Sequence, residues 1–312
     1  MAKVLVTGGA GFIGSALVHR FMERGDQVRV LDNFSTGFRQ NLADVQDRVE
    51  ILEGDVAEMA TAEAAVRDVE WVVHEAAIPS VQRSVEDPVG SNHANITGTL
   101  NMLVAARATG KVRRFVYASS SSAYGDSEAL PKVETMRENP ISPYALTKFA
   151  SEKYCVVFHK IYGLPTVSLR YFNIFGPRQN PNSPYSAVIS RFINYALDGK
   201  PLPINGDGEQ SRDFTFVENV VSANVLACTA EGVAGQVFNI GTGGRHTLND
   251  MVRLLATLVG HELNPVYGPA RTGDVRHSLA DIGHARRLLG YEPKVKFEEG
   301  LRQTFEWYRK NR

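Results

Sequence analysis

The sequence predicts an α/β protein, a doubly wound parallel sheet with a smaller α/β domain on its C-terminal side. Short apolar runs alternate with helical patterns through the first half, the signature of strand–helix–strand units. A turn carrying Gly8, Gly11 and Gly14 joins the first apolar run to the first helix. The chain has 312 residues, more than the roughly 100–200 of an average domain. The expected division is residues 1–172, rejoined by about 214–242, with 173–213 and 243–312 as the second domain.

Lys3 to Thr7 reads as the first strand, the helix runs to about Arg24, and Gln27 to Leu31 is a second strand closed by Asp32. Strand, glycine turn, helix, strand, acid is the dinucleotide-binding arrangement, so the sheet is Rossmann-type. Gly8 permits the tight turn, Gly11 lets backbone approach a pyrophosphate, and Gly14 allows close packing of helix on strand. Asp32 is placed to accept from an adenosine ribose and to repel a 2′-phosphate, which favours NAD over NADP. Arg39 is the one residue that argues for NADP. A glycine turn that holds no ligand is the alternative.

The alternation continues with strands at Val49–Leu52, Trp71–His74 and Phe115–Ala118, and one long helix from about Asn92 to Ala108. Asp55 either reaches an adenine amino group or caps the next helix. His74 reads as a packed strand-end histidine. Ala76 and Ala77 leave room for a cofactor, and Asn95 reaches backbone near the site. Ser119–Ser122 stand at the carboxyl end of their strand, where open parallel sheets bind ligands.

Tyr144 and Lys148 follow four residues apart at the start of a helix, with Ser142 as N-cap and Pro143 at the first helical position. That spacing puts both side chains on one face. A neighbouring ammonium favours the phenolate, so the pair is expected to make a base. Bringing a phenol from about 10 to about 7 takes roughly 4 kcal/mol of differential stabilisation. Ser120 is placed to hydrogen-bond the same substrate hydroxyl.

The 34 Lys and Arg balance the 34 Asp and Glu, which gives no support for nucleic-acid or anionic-membrane binding. The two cysteines, Cys155 and Cys228, are too few for a disulfide framework and suit a reducing compartment. Cys155 reads as core. No membrane span, signal peptide or metal site is expected, and the chain reads as cytoplasmic.

T-G-G-A-G-F-I-G, D-N-F-S-T-G, H-E-A-A, the serine strand end and Y-A-L-T-K, in this order, resemble the extended short-chain dehydrogenase/reductases, and within them the nucleotide-sugar 4-epimerases. The resemblance covers essentially the whole chain. It implies a tightly bound NAD regenerated at each turnover, with Phe12, Ile13, Asn33, Ser35, Thr36 and Gly37 among its contacts. Val56, Ser119 and Tyr171 join that set. Tyr144 is then the base that takes the sugar 4-hydroxyl proton while C4 gives its hydride to NAD. Lys148 binds the nicotinamide ribose, and Ser120, four residues before Tyr124, matches the catalytic serine or threonine. The related 4,6-dehydratases carry Asp-Glu after that residue and the decarboxylases a Glu; here Ser121 and Ser122 stand there, which implies epimerisation alone.

The resemblance also assigns the substrate side, to Ser80, Asn173, Ala187, Val188 and Arg191 first. Asn205 and Arg212 follow, the arginine meeting diphosphate, and then Arg271, Asp274 and Ser278. Asn173 stands where glucuronate epimerases typically carry threonine. At Ser278 the family gates its sugar pocket: tyrosine excludes an N-acetyl group and small residues admit it. The implied substrates are UDP-GlcNAc and UDP-GalNAc, with UDP-Glc and UDP-Gal also accepted. The rivals are a UDP-glucose-only or UDP-glucuronate 4-epimerase, an oxidoreductase releasing NADH, and a non-catalytic NAD-sensing module. A homodimer through a four-helix bundle of the 92–108 and 144–162 helices is the family expectation.

Overall fold

The computed structural model describes residues 1–180, 188–270 and 275–311. The first half runs β1 (Lys3–Thr7), α1 (Phe12–Glu23), β2 (Gln27–Asp32), β3 (Glu50–Glu53), α2 (Met59–Ala65), β4 (Trp71–His74), α3 (Val81–Glu86), α4 (Pro88–Asn92), α5 (Gly98–Thr109), β5 (Arg114–Ser120), α6 (Pro143–Tyr162) and β6 (Thr166–Tyr171). The second half continues with β7 (Ile174–Phe175), α7 (Val188–Leu197), β8 (Leu202–Asn205), β9 (Ser211–Arg212), β10 (Thr215–Phe216), α8 (Val217–Thr229), β11 (Val237–Ile240), β12 (His246–Thr247), α9 (Leu248–Val259), β13 (Pro265–Gly268), α10 (Gly283–Leu289) and α11 (Phe297–Lys310).

Seven strands form one sheet in the order β11-β6-β5-β4-β1-β2-β3, every neighbouring pair parallel. The doubly wound expectation holds. The order reverses between β1 and β4, and ligands bind at such a switch point, outside the carboxyl ends. β11 pairs with β6 from Val237↔Ser168 to Ile240↔Tyr171, so the chain returns to the sheet after its excursion. The remaining strands make two-stranded ribbons.

Alternation along the strands builds two cores. Val4, Val6, Val73 and Val116 face the side covered by α1 and α8, whereas Leu5, Val72, Phe115 and Tyr117 face α2, α5 and α6. Full burial of each such side chain contributes about 1.5–3 kcal/mol. The helix expected over Asn92–Ala108 is instead α4, a π-turn at His93–Thr97 and α5. The Gly98 N–H bonds to His93 O across the wider turn. Asn95 O accepts the hydroxyls of Thr99 (2.6 Å) and Ser151 (3.1 Å), which compete with the regular ladder. α6 starts as expected: Ser142 Oγ accepts from the Ala145 N–H at 3.1 Å and Pro143 is the first helical residue.

Candidate active site

A cleft of about 1380 Å³ runs along the carboxyl edge of the sheet, from the glycine turn past Tyr144 to Ser278. Gly8 has φ +67°, and a Cβ there would lie 2.8 Å from Ala76 N. Gly11 is the N-cap of α1; no side chain caps the helix and its first turn holds no acid. Those amides and the helix dipole suit an anion, with Gly11, Phe12 and Ile13 lining the cleft.

Asp32 closes β2 with Oδ2 accepting from the Ala10 N–H (2.9 Å) and Oδ1 from the Phe34 N–H (2.8 Å). Burial pushes its carboxyl above the ordinary value, and the two amides oppose that. Asn33, Ser35, Thr36 and Gly37 line the same end. Arg39 ion-pairs with Glu53 and lies over the Phe34 ring at 3.9 Å, so this cation is already paired at the surface. Uncapped amides plus a carboxylate acceptor fit a dinucleotide without a 2′-phosphate. Asp55 makes a local cap, Oδ1 accepting from the Ala57 N–H at 2.8 Å, while Oδ2 accepts from Asn33 Nδ2 at 2.8 Å. It lines the cleft with Val56, Ala76 and Ala77.

His74 ends β4 fully buried. The Thr99 hydroxyl spends its proton on Asn95 O, so Nε2 donates to Thr99 Oγ1 (3.0 Å) and Nδ1 accepts from Thr7 Oγ1 (2.7 Å). Burial holds this neutral ring at a pKa of about 3. Asn95 reaches backbone beside the site, as expected, but does not itself line the cleft. Its carboxamide is taken by the Ile78 N–H (2.8 Å) and by Thr147 Oγ1 (2.9 Å), so it braces the loop that forms the wall.

At the reactive end, Ser119 Oγ donates to the buried Glu152 (2.7 Å), which pairs with Arg170 beneath it at 2.7 Å. Ser120 Oγ accepts from Ser122 N–H (3.2 Å) and from the Ser122 hydroxyl (2.9 Å), and its side chain neighbours the Tyr144 phenol. The Tyr144 N–H is anchored on Ser84 Oγ at 2.9 Å. Lys148 is 4% exposed; its Nζ donates to Ala118 O (2.8 Å) and sits 5.2 Å from the Tyr117 ring centroid.

The electrostatics differ from the sequence expectation. Burial pushes the Tyr144 phenol up, with Ser120 opposing and Glu75 adding to the rise. The lysine does not overcome this, since its ammonium is turned to a carbonyl and is itself pushed down to about 8 by burial. Glu75 is pushed up to about 7 by burial, the Tyr171 hydroxyl opposing.

Ser80, Ser121, Ser122, Asn173, Arg212 and Ser278 line the far part of the cleft. Ser80 Oγ also accepts from the Arg83 N–H at 3.1 Å, and Arg212 Nη1 donates to the carbonyls of Ser211 and Arg276 at 3.0 and 2.9 Å. Val188, Arg191 and Asn205 do not line it. Val188 packs against the core with α7, Arg191 lies by the Phe192 ring at 6.0 Å, and the Asn205 carbonyl accepts from Gln210 Nε2 at 2.6 Å. Ala187, Arg271 and Asp274 lie outside the described residues. Sequence reasoning missed Glu75, Lys132 and Arg178 in the wall; only Glu75 carried a signal, as the charged letter of H-E-A-A.

The profile of the NAD dependent epimerase/dehydratase family matches residues 4–241. The chain belongs to that family. It is an extended short-chain dehydrogenase/reductase whose cofactor is NAD. The UDP-glucose 4-epimerase of Mycolicibacterium smegmatis is 39% identical over 311 residues, covering 98% of each chain. The crystal structure of Thermotoga maritima UDP-glucose 4-epimerase with UDP-glucose superposes with a TM-score of 0.94 at 40% identity, over 99% of each chain. The UDP-N-acetylglucosamine 4-epimerase of Methanobrevibacter ruminantium, in complex with UDP-N-acetylmuramic acid, gives 0.95 at 37% identity, over 100% of this chain and 99% of that one. Enzymes named for UDP-glucuronate stand among the relatives as well.

Proposed function

We propose that the chain is an NAD-dependent UDP-sugar 4-epimerase acting on UDP-GlcNAc and UDP-GalNAc, with the plain hexoses also accepted. The carrying observation is the meeting of Ser120, Tyr144 and Lys148 in one cleft with the glycine turn. NAD, when bound, supplies the hydride acceptor and donor. Tyr144 Oη takes the proton of the sugar 4-hydroxyl, with Ser120 beside it and its own backbone anchored on Ser84. Lys148, its ammonium fixed on Ala118 O, lines the same wall, where it is placed to hold the nicotinamide ribose. The 4-keto sugar turns over in the pocket, and Tyr144 returns its proton. Ser121 and Ser122 offer no acid to expel water or carbon dioxide.

Ser278 supports the N-acetylated substrate: a small side chain at the cleft wall leaves space where a ring would clash. Incubation with UDP-GlcNAc, UDP-Glc and UDP-GlcA separately, followed by separation of the epimers, tests the reading. Epimers of the first two are expected; dehydrated or decarboxylated sugar, or a steady rise of free NADH, sinks it. Ser278→Tyr is expected to lose the acetylated sugar and keep the plain one. Unchanged acetylated turnover rules the gate out.

Two copies are proposed to pair through α5 and α6. Leu146, Val157 and Ile161 are 53%, 42% and 67% exposed, and their spacing puts them on one face of α6. Sedimentation is expected to give a dimer, and a monomer for Leu146→Asp/Ile161→Asp; a wild-type monomer refutes the pairing.

A further inference from the structure

A polar relay enters the cleft wall from the opposite side of the sheet. Asn224 on α8 is fully buried, and its Nδ2 donates to the Val220 carbonyl (2.9 Å) and to the Tyr171 hydroxyl (2.7 Å). A carbonyl can only accept, so the amide nitrogen is fixed on that side and the flipped carboxamide is excluded. Tyr171 therefore accepts from Asn224 and spends its own proton on Glu75 Oε1, 2.6 Å away. An Oε1 that accepts this bond carries no proton. The relay thus favours the carboxylate of Glu75, against the burial that opposes it.

Among the described residues, three acids stand in the cleft wall. Asp32 ends β2 and Asp55 follows β3, both on the far side of the switch point. Glu75 follows β4 and shares the wall with Tyr144, Lys148 and Tyr171. A negative charge there favours the protonated form of each neighbour, the Lys148 ammonium and the Tyr144 phenol alike. The other titratable groups around them are fixed. His74 on β4 is neutral, burial keeps Tyr117 on β5 and Cys155 on α6 protonated, and so too Cys228 on α8. Glu152 on α6 is paired with Arg170 on β6.

We propose that Glu75 is a positioning residue of the reaction, the negative charge of its carboxylate biasing the charge state of the Tyr144–Lys148 pair and with it the pH range of turnover. The inference rests on the epimerase reading above. It opposes two needs: the charge keeps Lys148 an ammonium and makes Tyr144 a weaker acid. Its removal moves both limbs of the pH–rate profile the same way, and the groups titrate as a set rather than singly.

Glu75→Gln keeps the shape and still accepts from Tyr171, so a purely structural role is left intact. The pH dependence of kcat/KM on UDP-Glc and UDP-GlcNAc is expected to move as a whole to lower pH by about one unit. A profile that stays in place, or only loses height, overturns the proposal. The second readout needs no turnover. In protein labelled with ¹³C at the lysine Cε, the Lys148 signal is identified by its loss in Lys148→Arg. Its titration midpoint is expected to fall by about one pH unit in Glu75→Gln; an unmoved midpoint overturns the proposal. Wild type that interconverts no UDP-sugar refutes the epimerase reading instead, and the midpoint still reports on Glu75. If Glu75→Gln does not fold, Tyr171→Phe keeps the ring and removes the donor. Its midpoint is expected to move in the same direction by less, and no movement there overturns the relay.

Discussion

Gly14→Ala tests how tightly the cofactor turn is built. In an ordinary helix interior the change stabilises by about 1 kcal/mol. Here the new Cβ would lie 2.1 Å from Gly8 O, 2.8 Å from Gly8 C and 2.9 Å from Gly9 Cα. A carbon–oxygen contact needs about 3.3 Å, so α1 or the turn must retreat by roughly 1.2 Å. Every crowded atom is backbone, and no side chain can rotate away. Overpacking of this kind costs about 1–3 kcal/mol, and a rigid backbone puts the cost at the upper end. The net expectation is destabilisation by about 1–2 kcal/mol and a fall in melting temperature of about 1.5–3 °C. The nucleotide suffers more, because Gly8 O and the α1 amides move together; loss of about 1.4 kcal/mol is a tenfold weaker affinity. Thermal unfolding and the NAD content of purified protein measure the two effects. Gly163→Ala is the control: φ is +71° but nothing lies within 4 Å, so it pays only the left-handed strain of about 1–2 kcal/mol and keeps its cofactor. A Gly14→Ala protein as stable as wild type and fully loaded would refute the packing argument.

Tyr144→Phe is expected to lower kcat by about 10²–10⁴-fold, the usual worth of a positioned acid–base group, while bound NAD stays at the wild-type level; assay of UDP-sugar interconversion beside cofactor content checks it, and retained activity removes Tyr144 from the mechanism. His74 gives a stability prediction with a definite sign. Its native pKa of about 3 lies below the unfolded 6.5, so its contribution is present above pH 6.5 and lost as pH falls toward 3. At pH 4 the loss is about 3 kcal/mol. Denaturant titrations at pH 7 and pH 4 are expected to show a smaller drop for His74→Gln than for wild type, and equal drops contradict the assignment.

The sheet was legible because its strands are short apolar runs between turn residues, and because helices such as α9 carry one apolar face. The π-turn was not legible. It depends on Thr99 and Ser151 converging on the Asn95 carbonyl, and Ser151 comes from another helix. The direction in which burial shifts the Tyr144 phenol was not legible for a related reason. Spacing puts an ammonium on the same helical face, but it does not say that Ala118 O claims it, or that burial and Glu75 act the other way. Periodicity reports which face a residue occupies. It is silent on the partners that tertiary structure brings from elsewhere.

Asp213 shows what that silence conceals. Beside Arg212 in the sequence it has the look of surface charge on a hairpin, yet it is fully buried. Its Oδ1 accepts from the N–H and hydroxyl of Thr242 at 2.8 and 2.6 Å, and Oδ2 from the N–H groups of Gly243 and Ala280 at 3.1 and 3.2 Å. Thr242 and Gly243 leave the end of β11, the edge of the parallel sheet, while Ala280 stands two residues beyond Ser278. One carboxylate with four donors therefore holds the segments bearing Arg212 and Ser278 against the sheet whose edge carries Ser120. Burial raises its pKa and those four bonds oppose the rise, which keeps the charge affordable inside the protein. Alignment of the substrate side with the reactive side thus depends on a residue that touches neither the cleft nor its contents, and whose neighbours in sequence give no sign of it.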